Sequence, residues 1–121
     1  FVDDIEKFDI EYFGKTYEPH LLFPSRTNVQ LAQLVEHNTL RVKVWERGAG
    51  KTLASGSSSC AVAVAANRRG LVEKKVRVLL DGGELEIFYS DKGVWMSGET
   101  SAIYSGIISE DFLSKAETLQ K

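Results

Sequence analysis

The sequence predicts an α+β fold in which a mixed β-sheet curls around one central, buried helix. Short runs of alternating apolar and polar residues recur at 28–35, 39–46, 76–80, 85–89 and 94–96, the period-two signature of strands. Between them lies one stretch, CAVAVAA at 60–66, that is apolar on every side. A helix without a polar face has to be enclosed, and side chains this small bring the enclosing wall close. A chain of 121 residues with 43% apolar content is one domain by size and can build that core.

The elements follow in order. Residues 5–16 are expected to form a helix, with Ile5, Phe8, Tyr12 and Phe13 on one side, stopping before Pro19. The alternation at 28–35 is imperfect but places Val29 and Leu31 on one face. At 39–46 it is clean: Leu40, Val42 and Val44 oppose Arg41, Lys43 and Trp45. Glu46 continues the period onto the apolar face, where a carboxylate needs a partner or a task. A glycine-rich turn follows, and a second helix is expected over 58–69. Serines at its start can cap free N–H groups, Arg68 and Arg69 suit its last turn, and Gly70 ends it. Val76, Val78 and Leu80 pattern a strand that turns at Asp81-Gly82-Gly83 into Leu85, Ile87 and Tyr89. A second hairpin at Ser90-Asp91-Lys92-Gly93 leads to Val94-Trp95-Met96. A last strand is expected over 102–108, and 111–121 reads as a short exposed helix or a disordered end.

The composition excludes several functions. Net charge is −2, and the 15 basic residues are scattered, adjacent only at Arg68-Arg69 and Lys74-Lys75. No basic field exists for nucleic acid or an anionic membrane. No apolar stretch approaches the roughly 20 residues of a membrane helix, and no signal peptide is visible. The single cysteine, Cys60, rules out an internal disulfide and fits a reducing compartment, so the expected localisation is cytoplasmic. Cys60 itself reads as a small packed hydrophobe. His20 and His37 flank loops without a second ligand at metal spacing, and no metal is expected. Gly50-Lys51-Thr52 imitates the end of a phosphate-binding loop, but the glycine required five residues before Gly50 is Trp45. The chain opens on Phe1-Val2-Asp3-Asp4 without an initiator methionine, and is expected to be a piece of a longer protein.

Chemistry concentrates in residues 45–70. By composition alone, 55–59 favours a polar turn with an N-cap. Its company points elsewhere: a glycine after Ser55, backbone N–H groups converging there, and the dipole of a buried helix make an anion site that suits carboxylate or phosphate. A cysteine at position 55 would have a lowered pKa. A serine hydroxyl gains too little from the same field to act as a base near neutrality, and no histidine is adjacent. Glu46 and Arg47 form a strand-end ion pair in the common case; alternatively Arg47 grips a carboxylate while Glu46 accepts an ammonium. Asn28, after Phe23-Pro24-Ser25-Arg26-Thr27, reads first as turn chemistry.

Together these residues resemble the C-terminal half of the diaminopimelate epimerase family. The resemblance runs through Phe23-Pro24, Asn28-Val29, Trp45-Glu46-Arg47-Gly48, Gly50, Thr52-Leu53-Ala54, and then position 55, where the family has its catalytic cysteine followed by glycine. It continues to Cys60-Ala61, Arg69-Gly70 and Asp81-Gly82-Gly83-Glu84-Leu85. It spans nearly the whole chain, and the block from Trp45 to Ala61 is highly specific. The resemblance implies two similar halves, each a mixed sheet around a central helix, with the active site between them. It implies an isomerase that uses neither metal nor pyridoxal phosphate and interconverts LL- and meso-diaminopimelate in lysine and peptidoglycan-precursor synthesis. One cysteine from each half serves, as thiolate and as thiol, on opposite faces of the substrate Cα. Asn28, Glu46 and Arg47 are then substrate contacts, and the amides of Gly56 and Ser57 hold the α-carboxylate. Two departures stand out. Ser55 replaces the catalytic cysteine, and the N-terminal half that carries the other one is missing from these residues 1–121. The expectation is therefore an inactive C-terminal epimerase domain whose partners are an amino-acid substrate, the missing half and, in a homodimer, a second copy. The alternatives are a racemase of another amino acid on the same fold, or a non-catalytic amino-acid-binding domain.

Overall fold

The computed structural model describes residues 1–118. In order they form a 3-10 turn (Ile5–Lys7), α1 (Ile10–Tyr17), β1 (Val29–Glu36), β2 (Thr39–Glu46), β3 (Gly50–Thr52), α2 (Gly56–Arg68), β4 (Lys75–Leu80), β5 (Gly83–Ser90), β6 (Gly93–Ser97) and α3 (Glu110–Thr118).

The clean alternation at 39–46 makes β2 the centre of the sheet. Leu40, Val42 and Val44 are each no more than 1% exposed. β1 lies antiparallel on one edge of β2. The other edge is shared: β4 runs parallel to Thr39, Leu40 and Arg41, and β3 pairs antiparallel with Val44, Trp45 and Glu46. β5 and β6 extend the sheet antiparallel beyond β4, giving the order β1-β2-β4-β5-β6 with β3 attached to β2. Because β2 and β4 are parallel, the chain must cross over between them, and α2 is that crossover.

One core lies between the sheet and α2: Leu40, Val42, Val44, Val76, Val78 and Ile87 meet Val62, Ala63 and Ala66. The opposite face of β1 and β2 is covered by the N-terminal turn and α1, through Ile5, Ile10 and Leu31, with Phe8, Phe13 and Trp45 packed against them. Gly14 lets α1 approach this closely, because a Cβ there would run into the Trp45 ring. α2 ends in a Schellman motif. Gly70 has φ +72°, its N–H donates to Asn67 O at 2.9 Å, and Leu71 N–H donates to Ala66 O at 3.0 Å.

The α+β class and the mixed sheet agree with the sequence reading, and four local differences have physical causes. The helix expected over 5–16 is divided, because Asp4 and Asp9 each accept a backbone N–H, from Glu6 and Glu11, and start separate turns. β3 forms within the expected glycine-rich turn, where β2 still had a free edge. No strand forms at 102–108: Ile103, Tyr104 and Ile107 are 88–101% exposed, and alternation without a neighbouring ladder does not make a strand. Within this chain α2 is covered on one side only. Val62, Ala63 and Ala66 are buried, while Ala61 and Ala65 are exposed, since a single sheet reaches only the face turned toward it. α3 is exposed over 110–115, in line with a short exposed helix at the tail, and residues 119–121 of that expected segment lie outside the described residues.

Candidate functional site

The site is built where β2 ends. Arg47-Gly48-Ala49 turns the chain from β2 into β3, with Gly48 at φ +79° and Gly50 at φ +82°, left-handed values that glycine adopts without strain. β3 carries the chain back beside β2, and Leu53-Ala54 then crosses toward α2. That crossing is braced by the turn between β4 and β5. Gly82 N–H donates to Leu53 O at 2.7 Å, and a Cβ on Gly82 would lie 3.1–3.3 Å from Leu53 and Ala54. As a result Ser55 arrives next to Glu46, and its hydroxyl donates to Glu46 Oε2 at 3.0 Å. The carboxylate that the strand period placed on the apolar face has its partner.

Ser55 is the N-cap residue of α2 by backbone (φ −152°, ψ 116°) and is 8% exposed, but its side chain makes no capping bond. The other buried serines are also committed. Ser58 Oγ accepts from Gln30 Nε2 at 3.0 Å, tying α2 to β1, and Ser59 Oγ donates to Ser55 O at 2.8 Å. The sequence reading expected serines to cap the free N–H groups; these serines are instead spent on Glu46, Gln30 and the Ser55 carbonyl. The first-turn amides have no acceptor within the helix and carry the positive end of its dipole. Gly56 and Ser57 thus stand at a helix mouth without a cap from Ser55. Ser57 is exposed, and Met96 borders Gly56 so closely that a Cβ there would lie 2.8 Å from its sulfur.

Asn28 and Arg47 meet directly: Asn28 Oδ1 accepts from Arg47 N–H at 2.7 Å, and Arg47 Nη1 donates to Ser25 O at 3.0 Å. Both residues are exposed. Glu46 and Arg47 make no ion pair with each other, although that was the common-case reading; one turns to Ser55 and the other to the loop before β1. All six sequence-selected residues therefore gather along one open edge: Asn28, Glu46, Arg47, Ser55, Gly56 and Ser57. The edge offers amide donors to an anion and a carboxylate to a cation.

Glu18 was missed by the sequence reading. It is 4% exposed, and its carboxylate accepts from Trp45 Nε1 at 2.6 Å, Gly48 N–H at 2.9 Å and the Arg26 guanidinium at 2.8 Å. The Trp45 indole above all, then the Gly48 amide with Arg26 and Arg47, hold its carboxyl below the usual glutamate range against the opposing effect of burial. The available signal was a misfit: a carboxylate at the C-terminus of α1, where the helix dipole disfavours one. Cys60, by contrast, packs against the core and burial pushes its thiol pKa up, the environment of an inert cysteine. Among the described residues no group of three or more His, Cys, Asp or Glu side chains could hold a metal ion, and no helix is long and apolar enough to cross a membrane.

The model of the family described as diaminopimelate epimerase matches residues 1–103. The chain belongs to the diaminopimelate epimerase family. It is similar to the diaminopimelate epimerase of Clostridium perfringens, 48% identical over 101 residues that make up 84% of this chain and 37% of that protein. The enzyme of the same name from Afipia carboxidovorans is 44% identical over 115 residues, 93% of this chain and 40% of the relative. That of Methanococcus maripaludis strain C6 is 40% identical over 110 residues, 89% and 40%. The chain thus spans about two fifths of the length of the relatives it matches. Among solved structures, a Bacillus anthracis phenazine biosynthesis protein of the PhzF family superposes with a TM-score of 0.54 at 16% identity, covering 77% of this chain and 31% of that one. That likeness concerns the fold alone.

Proposed function

We propose that this chain is the C-terminal half of a cofactor-independent amino-acid epimerase for LL- and meso-diaminopimelate in cytoplasmic lysine biosynthesis. The observation that carries this reading is Ser55. It occupies the N-cap of α2, leaves the helix mouth uncapped and hydrogen-bonds Glu46. The substrate α-carboxylate accepts hydrogen bonds from the Gly56 and Ser57 amides, its ammonium faces Glu46, and Arg47 with Asn28 hold a carboxylate on the neighbouring arm. Fixed amides at a helix mouth also stabilise the negative charge that spreads toward the carboxylate as the Cα proton leaves.

In this reading Ser55 stands where the family has a cysteine, and the other half supplies a second one. One thiolate takes the Cα proton; the other thiol then gives a proton to the opposite face of the carbanion, so that proton count and charge balance. A helix mouth lowers the pKa of a cysteine enough to supply the thiolate, but it does not make serine a base near neutrality. Residues 1–121 therefore bind the amino acid without exchanging its α-proton, and their partners are the substrate and the complementary half, with a second copy as a further partner. The serine also favours a second reading, an amino-acid-binding module that has given up catalysis. A racemase of a different amino acid on this fold is a third.

Ser55→Cys in the protein that includes the complementary half separates these readings. Exchange of the α-proton of diaminopimelate with deuterated solvent is expected to appear in that variant. Its continued absence, with binding intact, would favour the binding module. Exchange confined to a different amino acid would point to the racemase.

A further inference from the structure

The contacts of Glu18 reach each backbone segment that carries the proposed carboxylate-binding arm. Trp45 and Gly48, two of its donors, bracket Glu46 and Arg47 in the chain, and Arg26, the third, lies just before Asn28. The two segments then meet each other through the Arg47 N–H to Asn28 Oδ1 bond and the Arg47 Nη1 to Ser25 O bond. From this geometry we infer that Glu18 is a positioning residue. One buried carboxylate holds Arg47 and Asn28 in the arrangement that receives a carboxylate-bearing amino acid, without touching the ligand itself. The inference rests on the site assignment proposed above.

The division of its oxygens explains why glutamate is required. Oε2 accepts from the Trp45 indole, while Oε1 accepts from both Gly48 N–H and Arg26. Glutamine has the same shape but only one acceptor oxygen, so its NH2 must face a donor on one side of the clamp. A part-buried donor such as the Trp45 indole or the Gly48 N–H, left without an acceptor, destabilises its own segment, and that segment carries Glu46 and Arg47 of the binding arm. If Glu18 served only to seat α1, a change there would lower stability without altering how Arg47 meets a ligand.

The test is a double-mutant cycle on the full chain, titrated calorimetrically with meso-diaminopimelate, using Glu18→Gln, Arg47→Ala and the pair. Acting through Arg47, Glu18→Gln is expected to weaken binding about tenfold alone and less than about twofold once Arg47 is alanine. An equal loss in both backgrounds, or no loss in either, overturns the inference. If the unaltered chain does not bind the ligand, the proposed site fails, and amide hydrogen exchange judges the clamp by itself. Exchange at Arg47 and Gly48 accelerated about tenfold relative to Val42 and Val44 supports it, and unchanged exchange refutes it. Should Glu18→Gln not fold, Trp45→Phe removes a single donor and is read on the same scale.

Discussion

At the scale of single residues, the chemistry turns on one atom. In the proposed site, the oxygen of Ser55 in place of a cysteine sulfur keeps the shape and donates to Glu46, but supplies no readily ionised acid at the helix mouth. Binding and proton transfer are thereby separable. Arg47→Ala is expected to weaken diaminopimelate binding by about 1.5–3 kcal/mol, roughly ten- to hundredfold, in a calorimetric titration. Unchanged affinity would remove Arg47 from the site. Glu18 gives a pH prediction whose sign follows from its lowered pKa. A carboxylate with a depressed folded value stabilises fully above its unfolded value of about 4.3, and that contribution fades as pH falls through the folded value. The difference in urea midpoint between the unaltered chain and Glu18→Gln should therefore be full at pH 6 and shrink toward pH 2. Within 45–57 the end of β2 and the glycine turn were legible from strand period and glycines, whereas the choice of roles for Glu46, Arg47 and Ser55 came only with the family resemblance. Glu18 was not legible, since its donors come from Arg26, Trp45 and Gly48, contacts that only the folded chain creates.

Between residue and fold stand the elements, and here the sequence was most informative where local chemistry and tertiary contacts agree. β2 matched its expected bounds because its alternation is clean and both its edges are paired. The body of α2 and its Gly70 stop were plain too, although the helix begins at Gly56, two residues before the expected start at Ser58. The stretch at 5–16 has a helical apolar stripe, yet two aspartates interrupt it with caps of their own. The stretch at 102–108 has apolar residues but no ladder among the described residues. β3 could not be seen in advance, since a three-residue strand exists only through its pairing with β2. The seat of α1 on Trp45 yields a prediction at this scale. Gly14→Ala inserts a methyl group into the indole and should cost about 1–3 kcal/mol or more in chemical denaturation, moving α1 away from the Glu18 clamp. Normal stability would mean that α1 and β2 are not packed as described.

For the whole molecule, the sheet and the two helices packed on it bring the end of β2, the start of α2 and the turn after α1 to one edge. Its stability should depend on the core beneath that edge. Leu40→Ala, at a fully buried position, is expected to cost about 2–5 kcal/mol. A much smaller loss would argue against the sheet–α2 core. The exposed Asn28, Arg47 and Ser57 and the open outer side of α2 are what the proposed two-part enzyme requires of one half. The claim on which the whole account rests is that the uncapped mouth of α2 receives a carboxylate. It is tested most directly by following backbone amide resonances of the full chain during titration with meso-diaminopimelate. The account predicts saturable shifts centred on Gly56 and Ser57 and extending to Arg47; shifts that bypass Gly56 and Ser57, or none at all, would contradict it.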